Sequence, residues 1–140
     1  MKIVVTHSSP DMDAITSVWL IKKFLAGWEN AVVQFVPAGE RIGNGKWQMA
    51  NGKSPIELIG DNEVIHVDTG MGPLDHHQTA SDEVCGASLT FDFIKQVSAF
   101  AKASADRQNS EKRKDKMEAV SRMVKVVVDI DHFKEVFRKD

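Results

Sequence analysis

The segment Lys2-Ile3-Val4-Val5-Thr6 is a β-branched run in which polar and apolar residues do not alternate. A strand with one wet face alternates, so this run suits a strand covered on both faces, as in a parallel sheet. Parallel neighbours need a crossover, and the next residues supply one. Ser9-Pro10 reads as an N-cap followed by proline at the first helical position. Ile15, Val18, Trp19 and Leu25 then recur at helical spacing between Asp13 and Ala26, and Gly27 suits a C-cap. Ala31 to Val36 reads as a second strand. The unit is strand, helix, strand, with a right-handed crossover expected.

The remainder extends this plan. Pro37 to Asn62 is a glycine-rich excursion, punctuated by the turn dipeptides Asn44-Gly45 and Asn51-Gly52, with a short extended piece near Ile56 to Ile59. Glu63 to Asp68 predicts a third strand, ended by Gly70, Gly72 and Pro73. Ala87 to Ala103 predicts a helix whose inner face carries Ala87, Phe91, Ile94, Val97 and Ala101. Ser104 to Lys116 reads as a solvated turn or a frayed helical start. From Met117 the spacing of Val120, Met123, Val124 and Val127 favours helix, although Val126-Val127-Val128 has strand propensity. The expected architecture is an α/β fold: an open, mainly parallel sheet flanked by helices, in one domain over residues 1–140, with a C-terminal helical region over about 111–139.

Composition narrows the function. The chain has 140 residues, 42% of them hydrophobic, enough to bury a core without staples. Net charge is −2, so bulk charge predicts no binding to nucleic acid or anionic membrane. A lone cysteine, Cys85, forms no disulfide framework and reads as a small buried residue. The apolar run at the start is too short for a signal peptide, and no apolar run is long enough to span a membrane. A reducing, cytoplasmic compartment is the expectation.

All five histidines lie close to aspartates. His7 precedes Asp11 and Asp13 just after the first strand. His66 stands two residues before Asp68, which ends the third strand. Asp75-His76-His77 follows in one loop, and Asp129, Asp131 and His132 lie near the C-terminus. In open parallel sheets ligands bind outside the carboxyl ends of strands, so two strand ends deliver carboxylates and imidazoles to one edge. Carboxylates share a site when cations neutralise them. Mixed Asp and His ligands suit Mn²⁺, Fe²⁺ or Co²⁺, with Mg²⁺ and Zn²⁺ less favoured. Two ions about 4 Å apart, linked by a bridging carboxylate, would activate a water for in-line attack on phosphorus.

These residues carry a family resemblance. The stretch His7-Ser8-Ser9-Pro10-Asp11-Met12-Asp13-Ala14-Ile15-Thr16-Ser17 resembles the first motif of the DHH-family phosphoesterases. Val67-Asp68-Thr69-Gly70 resembles the second motif, and Leu74-Asp75-His76-His77 the third. Val128-Asp129-Ile130-Asp131-His132-Phe133 resembles the fourth less clearly. The motifs occur in order and cover nearly the whole chain. The family includes RecJ-type exonucleases, family II inorganic pyrophosphatases, exopolyphosphatases and phosphodiesterases of linear dinucleotides and very short RNA. Asp75-His76-His77-Gln78 is also similar to the melanocyte-proliferating-gene-type exonucleases.

The resemblance implies a DHH-type catalytic domain with two divalent ions, Mn²⁺ favoured over Co²⁺, Mg²⁺ or Fe²⁺. It implies that His7 and Asp11 bind one ion, that Asp13, His76 and Asp129 bind the other, and that Asp68 bridges them. His77 would face substrate as phosphate ligand or proton donor, and Asp75 would orient its neighbours. Asp68, His76 and His77 are then the catalytic set. Ser17 and Thr69 would be structural. Asp131 and His132 compete with Asp129 for the fourth-motif role, and the spacing to Phe133 favours Asp129.

The pattern also departs from the family. Most members carry a second, substrate-binding domain, whereas only Ile130 to Asp140 follow Asp129, and no Gly-Gly-Gly-His-like stretch occurs. A second subunit, a separate substrate-binding protein or the glycine-rich excursion would have to complete the site. Arg41, Lys46 and Lys53 offer phosphate contacts, though an ordinary surface role is the default. Lys112-Arg113-Lys114 is flanked by Glu111 and Asp115 and reads as a solvated face. Trp19 reads as core; Trp28 and Trp47 could stack on a base, with packing the default. His66 points to the same strand face as Asp68, and a packed core histidine is the preferred reading.

The expected function is a Mn²⁺-dependent phosphoesterase that hydrolyses a phosphoanhydride or phosphodiester in a small phosphate, nucleotide or short oligonucleotide. The alternative is a non-catalytic DHH-like module that holds metal or nucleotide for a partner. A third reading keeps the motifs only for a stabilising metal.

Overall fold

The computed structural model describes residues 1–43, 54–77, 81, 83–102 and 110–132. Asn44-Gly45, Lys46, Trp47, Asn51-Gly52, Lys53, Gln78 and Phe133 lie outside them, as do 103–109 and the end of the expected C-terminal helix. Strand β1 (Lys2–His7) leads to helix α1 (Met12–Phe24) and strand β2 (Val32–Val36). Strands β3 (Ile56–Ile59) and β4 (Asn62–His66) precede helices α2 (Gly86–Lys102) and α3 (Ser110–Asp131). The result is an α/β structure with a four-stranded mixed sheet in the order β2-β1-β4-β3.

The β-branched run occupies the centre of that sheet. β1 pairs in parallel with β2 on one side and with β4 on the other. The extended piece at Ile56 to Ile59 is the fourth strand, and it runs antiparallel to β4. Two residues, Gly60 and Asp61, join them, far too few for a crossover. Gly60 supplies the positive φ, 62°, that such a hairpin loop needs at its first position. The sheet is therefore mixed, with two parallel pairings, as the expectation of a mainly parallel sheet had it, and one antiparallel edge.

Alternation along β1 divides the core. Val4, Ile65 and Val67 pack with Leu20 and Ile21 of α1, Phe91 and Ile94 of α2, and Val120, Val124 and Val127 of α3. Ile3, Val5, Val36 and Val64 face the other way, against Ile42 and Ile59. Among the described residues all three helices thus stand on one face.

Three local readings need correction. Asp11, not Ser9, is the N-cap of α1: its side chain accepts from Ala14 N at 2.9 Å, and the helix starts at Met12. Trp19, read as core, is exposed, as is Ile15. The inner face of α1 is Asp13, Ala14, Thr16, Ser17, Leu20 and Ile21, small and polar near the start because it borders a polar cluster. Val97 of α2 is also exposed. Residues 110–116 are helical, the second of the two readings offered for them, and α3 continues through the valine run as the spacing favoured.

Candidate metal centre

The cluster forms where β1, the segment after β4, and the start of α2 meet. β4 ends at His66, two residues sooner than expected. Val67 still donates to Val5 O at 2.8 Å, and Asp68 then turns into the left-handed region with φ 53°. Aspartate is among the few side chains that visit this region at low cost. The turn breaks the alternation that would have aligned His66 with Asp68. His66 instead accepts from Ile42 N at 3.1 Å and lies 3.3 Å from Glu57 Oε1. Burial, and next the Arg41 charge, lower it to about 4, so it is a neutral packed histidine outside the cluster. Arg41 is ion-paired with Glu57.

Asp68 is 2% exposed and lies between three imidazoles. Its Oδ2 is 3.1 Å from His7 Nε2. Its Oδ1 is 3.4 Å from His76 Nε2 and 3.9 Å from His77 Nδ1. His7 Nε2 also lies 3.9 Å from Asp11 Oδ1. His76 Nε2 lies 3.5 Å from Asp13 Oδ2 and 3.3 Å from Asp131 Oδ2. Asp75 braces the loop: Oδ2 accepts from Met71 N at 2.9 Å, and Oδ1 meets His77 Nδ1 at 2.5 Å. Thr69 Oγ1 donates to Glu40 O at 2.7 Å, and Ser17 Oγ to Asp13 O at 2.8 Å, both ties within the scaffold.

The structure brings Asp131, and not Asp129, to this cluster. Asp129 lies 3.6 Å from Lys125 Nζ and lines a groove between α2 and α3. Positions two apart on a helix point to different faces, so only one of the two can look at His76. His132 fixes the choice by meeting Val84 O at 2.6 Å, which ties the end of α3 to the segment before α2.

Two features escaped the sequence reading. Asp13 caps α2 from a distance, its Oδ2 accepting from Gly86 N at 2.9 Å and its Oδ1 from Ala87 N at 2.7 Å. Its carboxylate satisfies orphan helix donors and faces His76 at once. Gly86 is the second: a Cβ there would lie 3.0 Å from Asp68 Cβ and 3.2 Å from Asp13 Oδ2. An apolar helix start gave no signal for either contact.

The electrostatics test whether cations fit. Asp68 Oδ1 is buried and, among the described residues, accepts no hydrogen bond. Burial first, then the charges of Asp13 and Asp11, push Asp68 up to about 9. Burial and Asp13 raise Asp131 as well. Among the described residues no lysine or arginine pairs with Asp11, Asp13, Asp68 or Asp131. Three donor groups come within coordinating reach of one another: His7, Asp11 and Asp68; Asp68, His76 and His77; and His76, Asp131 and His132. An orphaned buried carboxylate oxygen in a His and Asp donor set fits divalent cations.

Burial pushes the Cys85 thiol up to about 12, so it is inert packing. Trp28 is buried with Lys2 Nζ 5.2 Å from its ring centroid. Lys112, Arg113 and Lys114 are exposed on α3. No helix among the described residues is long and apolar enough to cross a membrane. The chain matches no protein-family model, no curated protein and no solved structure.

Proposed function

We propose that this chain is a Mn²⁺-dependent phosphoesterase of DHH type, hydrolysing a phosphoanhydride or phosphodiester in a small substrate. One observation carries the reading: a single buried carboxylate, Asp68, presents Oδ2 to His7 and Oδ1 to His76. That is the arrangement of a bridging ligand. His7 and Asp11 would hold one ion, and Asp13, His76 and Asp131 the other, with Asp131 in the place that the sequence pattern favoured for Asp129. A bound pair of divalent ions supplies positive charge that acidifies a water and polarises a phosphoryl oxygen.

The protein's own groups do the rest. Asp68 holds the two histidine arms in register. Asp13 keeps α2 docked while facing His76. Asp75 fixes the His77 ring through Nδ1, which leaves Nε2 to meet a phosphoryl oxygen or a leaving group. A cavity of about 210 Å³, lined by Asp11, Met12, Asp13, Ile130 and Asp131, opens beside the cluster. Its size favours a small phosphate or nucleotide over a long polymer.

The test is phosphate or nucleotide release with Mn²⁺ from pyrophosphate, polyphosphate, linear dinucleotides, short RNA and single-stranded DNA. Release that disappears in Asp68→Asn supports the proposal. Bound Mn²⁺ without release from any of them would favour the non-catalytic module.

A further inference from the structure

Strand β2 closes one edge of the sheet and, among the described residues, has a partner on one side only. Ser8 N donates to Val36 O at 2.7 Å, which fixes the phase of the ladder to β1. By alternation Val32, Gln34 and Val36 turn their main-chain groups towards β1, and those of Val33 and Phe35 turn outward. Unpaired edge groups are templates for another strand, and natural edges are blunted by lysine, proline or short length. Val32-Val33-Gln34-Phe35-Val36 carries no charge and no proline, and Val32 (50%) and Phe35 (54%) are exposed. The opposite edge strand, β3, is shorter and carries Glu57.

We infer that β2 is a self-pairing edge, whose partner is β2 of a second copy of this chain, antiparallel about a two-fold axis at Gln34. The strand reads apolar, apolar, polar, apolar, apolar, so a two-fold matches like with like. Val33 faces Phe35 of the second copy, and Phe35 faces its Val33. Both are hydrogen-bonded pairs, because these two residues hold the outward N–H and C=O groups. The match also sets an aromatic ring against a β-branched side chain, a favourable cross-strand pair. Val32 faces Val36 on the other side of the ladder. Gln34 meets its own copy at the non-hydrogen-bonded position, where Cα atoms lie about 4.5 Å apart. An isologous contact of this kind closes at two and uses up both β2 edges, so the outer edges of the joined sheet are the shorter β3 strands with Glu57. The inference is independent of the metal reading.

The register makes the test specific. Sedimentation of the full chain should give a particle of twice 15.6 kDa. Val33→Pro removes an outward donor that the β1 ladder does not use, and Phe35→Lys places charge in the seam. Each should return the monomer with an unchanged circular dichroism spectrum. Gln34→Cys should form a disulfide-linked dimer on mild oxidation, since the pair spacing lies within the disulfide range. Phe35→Cys should not, because it faces Val33, and Cys85 is buried. If Val33→Pro fails to fold, Phe35→Lys and the cysteine pair decide. A monomeric wild type, a dimer that survives Phe35→Lys, or cross-linking at Phe35→Cys rather than Gln34→Cys would overturn the inference.

Discussion

Replacing Asp68 by asparagine should have opposite effects on stability with and without metal. The metal-free fold holds a carboxylate that is 2% exposed and surrounded by Asp13, Asp11 and Asp75, and its proton affinity rises from 3.8 to about 9. At neutral pH the unfolded chain releases that proton and the folded chain keeps it. The cost to the fold at pH 7 has a ceiling of about 4 kcal/mol, at ~1.4 kcal/mol per unit. Asparagine removes the charge, keeps the shape and tolerates the left-handed backbone at this position. Metal-free Asp68→Asn should therefore be more stable than wild type. For a chain of this size each kcal/mol recovered raises Tm by about 3–5 °C. With Mn²⁺ the order reverses, because two ions, each at a hundred times its Kd, stabilise wild type by about 5 kcal/mol together, more than that ceiling, and the variant lacks the shared ligand. Thermal melts of both proteins, with chelator and with Mn²⁺, read the crossing directly. A metal-free variant less stable than wild type, or one that keeps the full Mn²⁺ gain, would refute the reasoning.

Further outcomes follow from the same geometry. Gly86→Ala presses a methyl group against Asp68 and Asp13; Mn²⁺ affinity by calorimetry should fall about 10–100-fold, the range for groups that support ligands, with helix content retained. Asp131→Asn should lose affinity by a similar factor while Asp129→Asn stays near wild type; the reverse would return the fourth ligand to Asp129. In metal-free protein His66, lowered to about 4, contributes stability above pH 6.5 that is lost as pH falls towards 4. Asp68, raised to about 9, contributes stability below pH 3.8 that is lost as pH rises. The two slopes oppose each other between pH 4 and 6.5, and above that the raised carboxylates act without His66, Asp68 with the larger shift and Asp131 in the same direction. Urea midpoints should therefore decline from pH 6.5 to 9, with Asp68 contributing at most ~1.4 kcal/mol per unit, and the decline should be smaller in Asp68→Asn.

The sequence disclosed elements whose signal is local. The unalternating run at Lys2 to Thr6 marked the central strand, and the period of Ala87, Phe91 and Ile94 marked the inner face of α2. What it withheld depends on exact backbone geometry and on distant partners. Asp11 beats Ser9 as the cap of α1 because its carboxylate reaches Ala14 N, a contact settled by where the loop enters the helix. Strand alternation placed His66 beside Asp68, and one residue with φ 53° separates them. The choice between Asp129 and Asp131 depends on how α3 is rotated against α2, which His132 and Val84 O decide from 48 positions apart. The role of Gly86 is steric, and no local pattern announces the absence of a side chain.

The central claim is that Asp68 joins two divalent-ion subsites. Mn²⁺ titration followed by electron paramagnetic resonance addresses it most directly, because ions that share a carboxylate are exchange-coupled and isolated ions are not. The account predicts two Mn²⁺ per chain at saturation, with a coupled spectrum that Asp68→Asn reduces to that of isolated ions or abolishes. No binding, or an isolated-ion spectrum identical in wild type and variant, would contradict it.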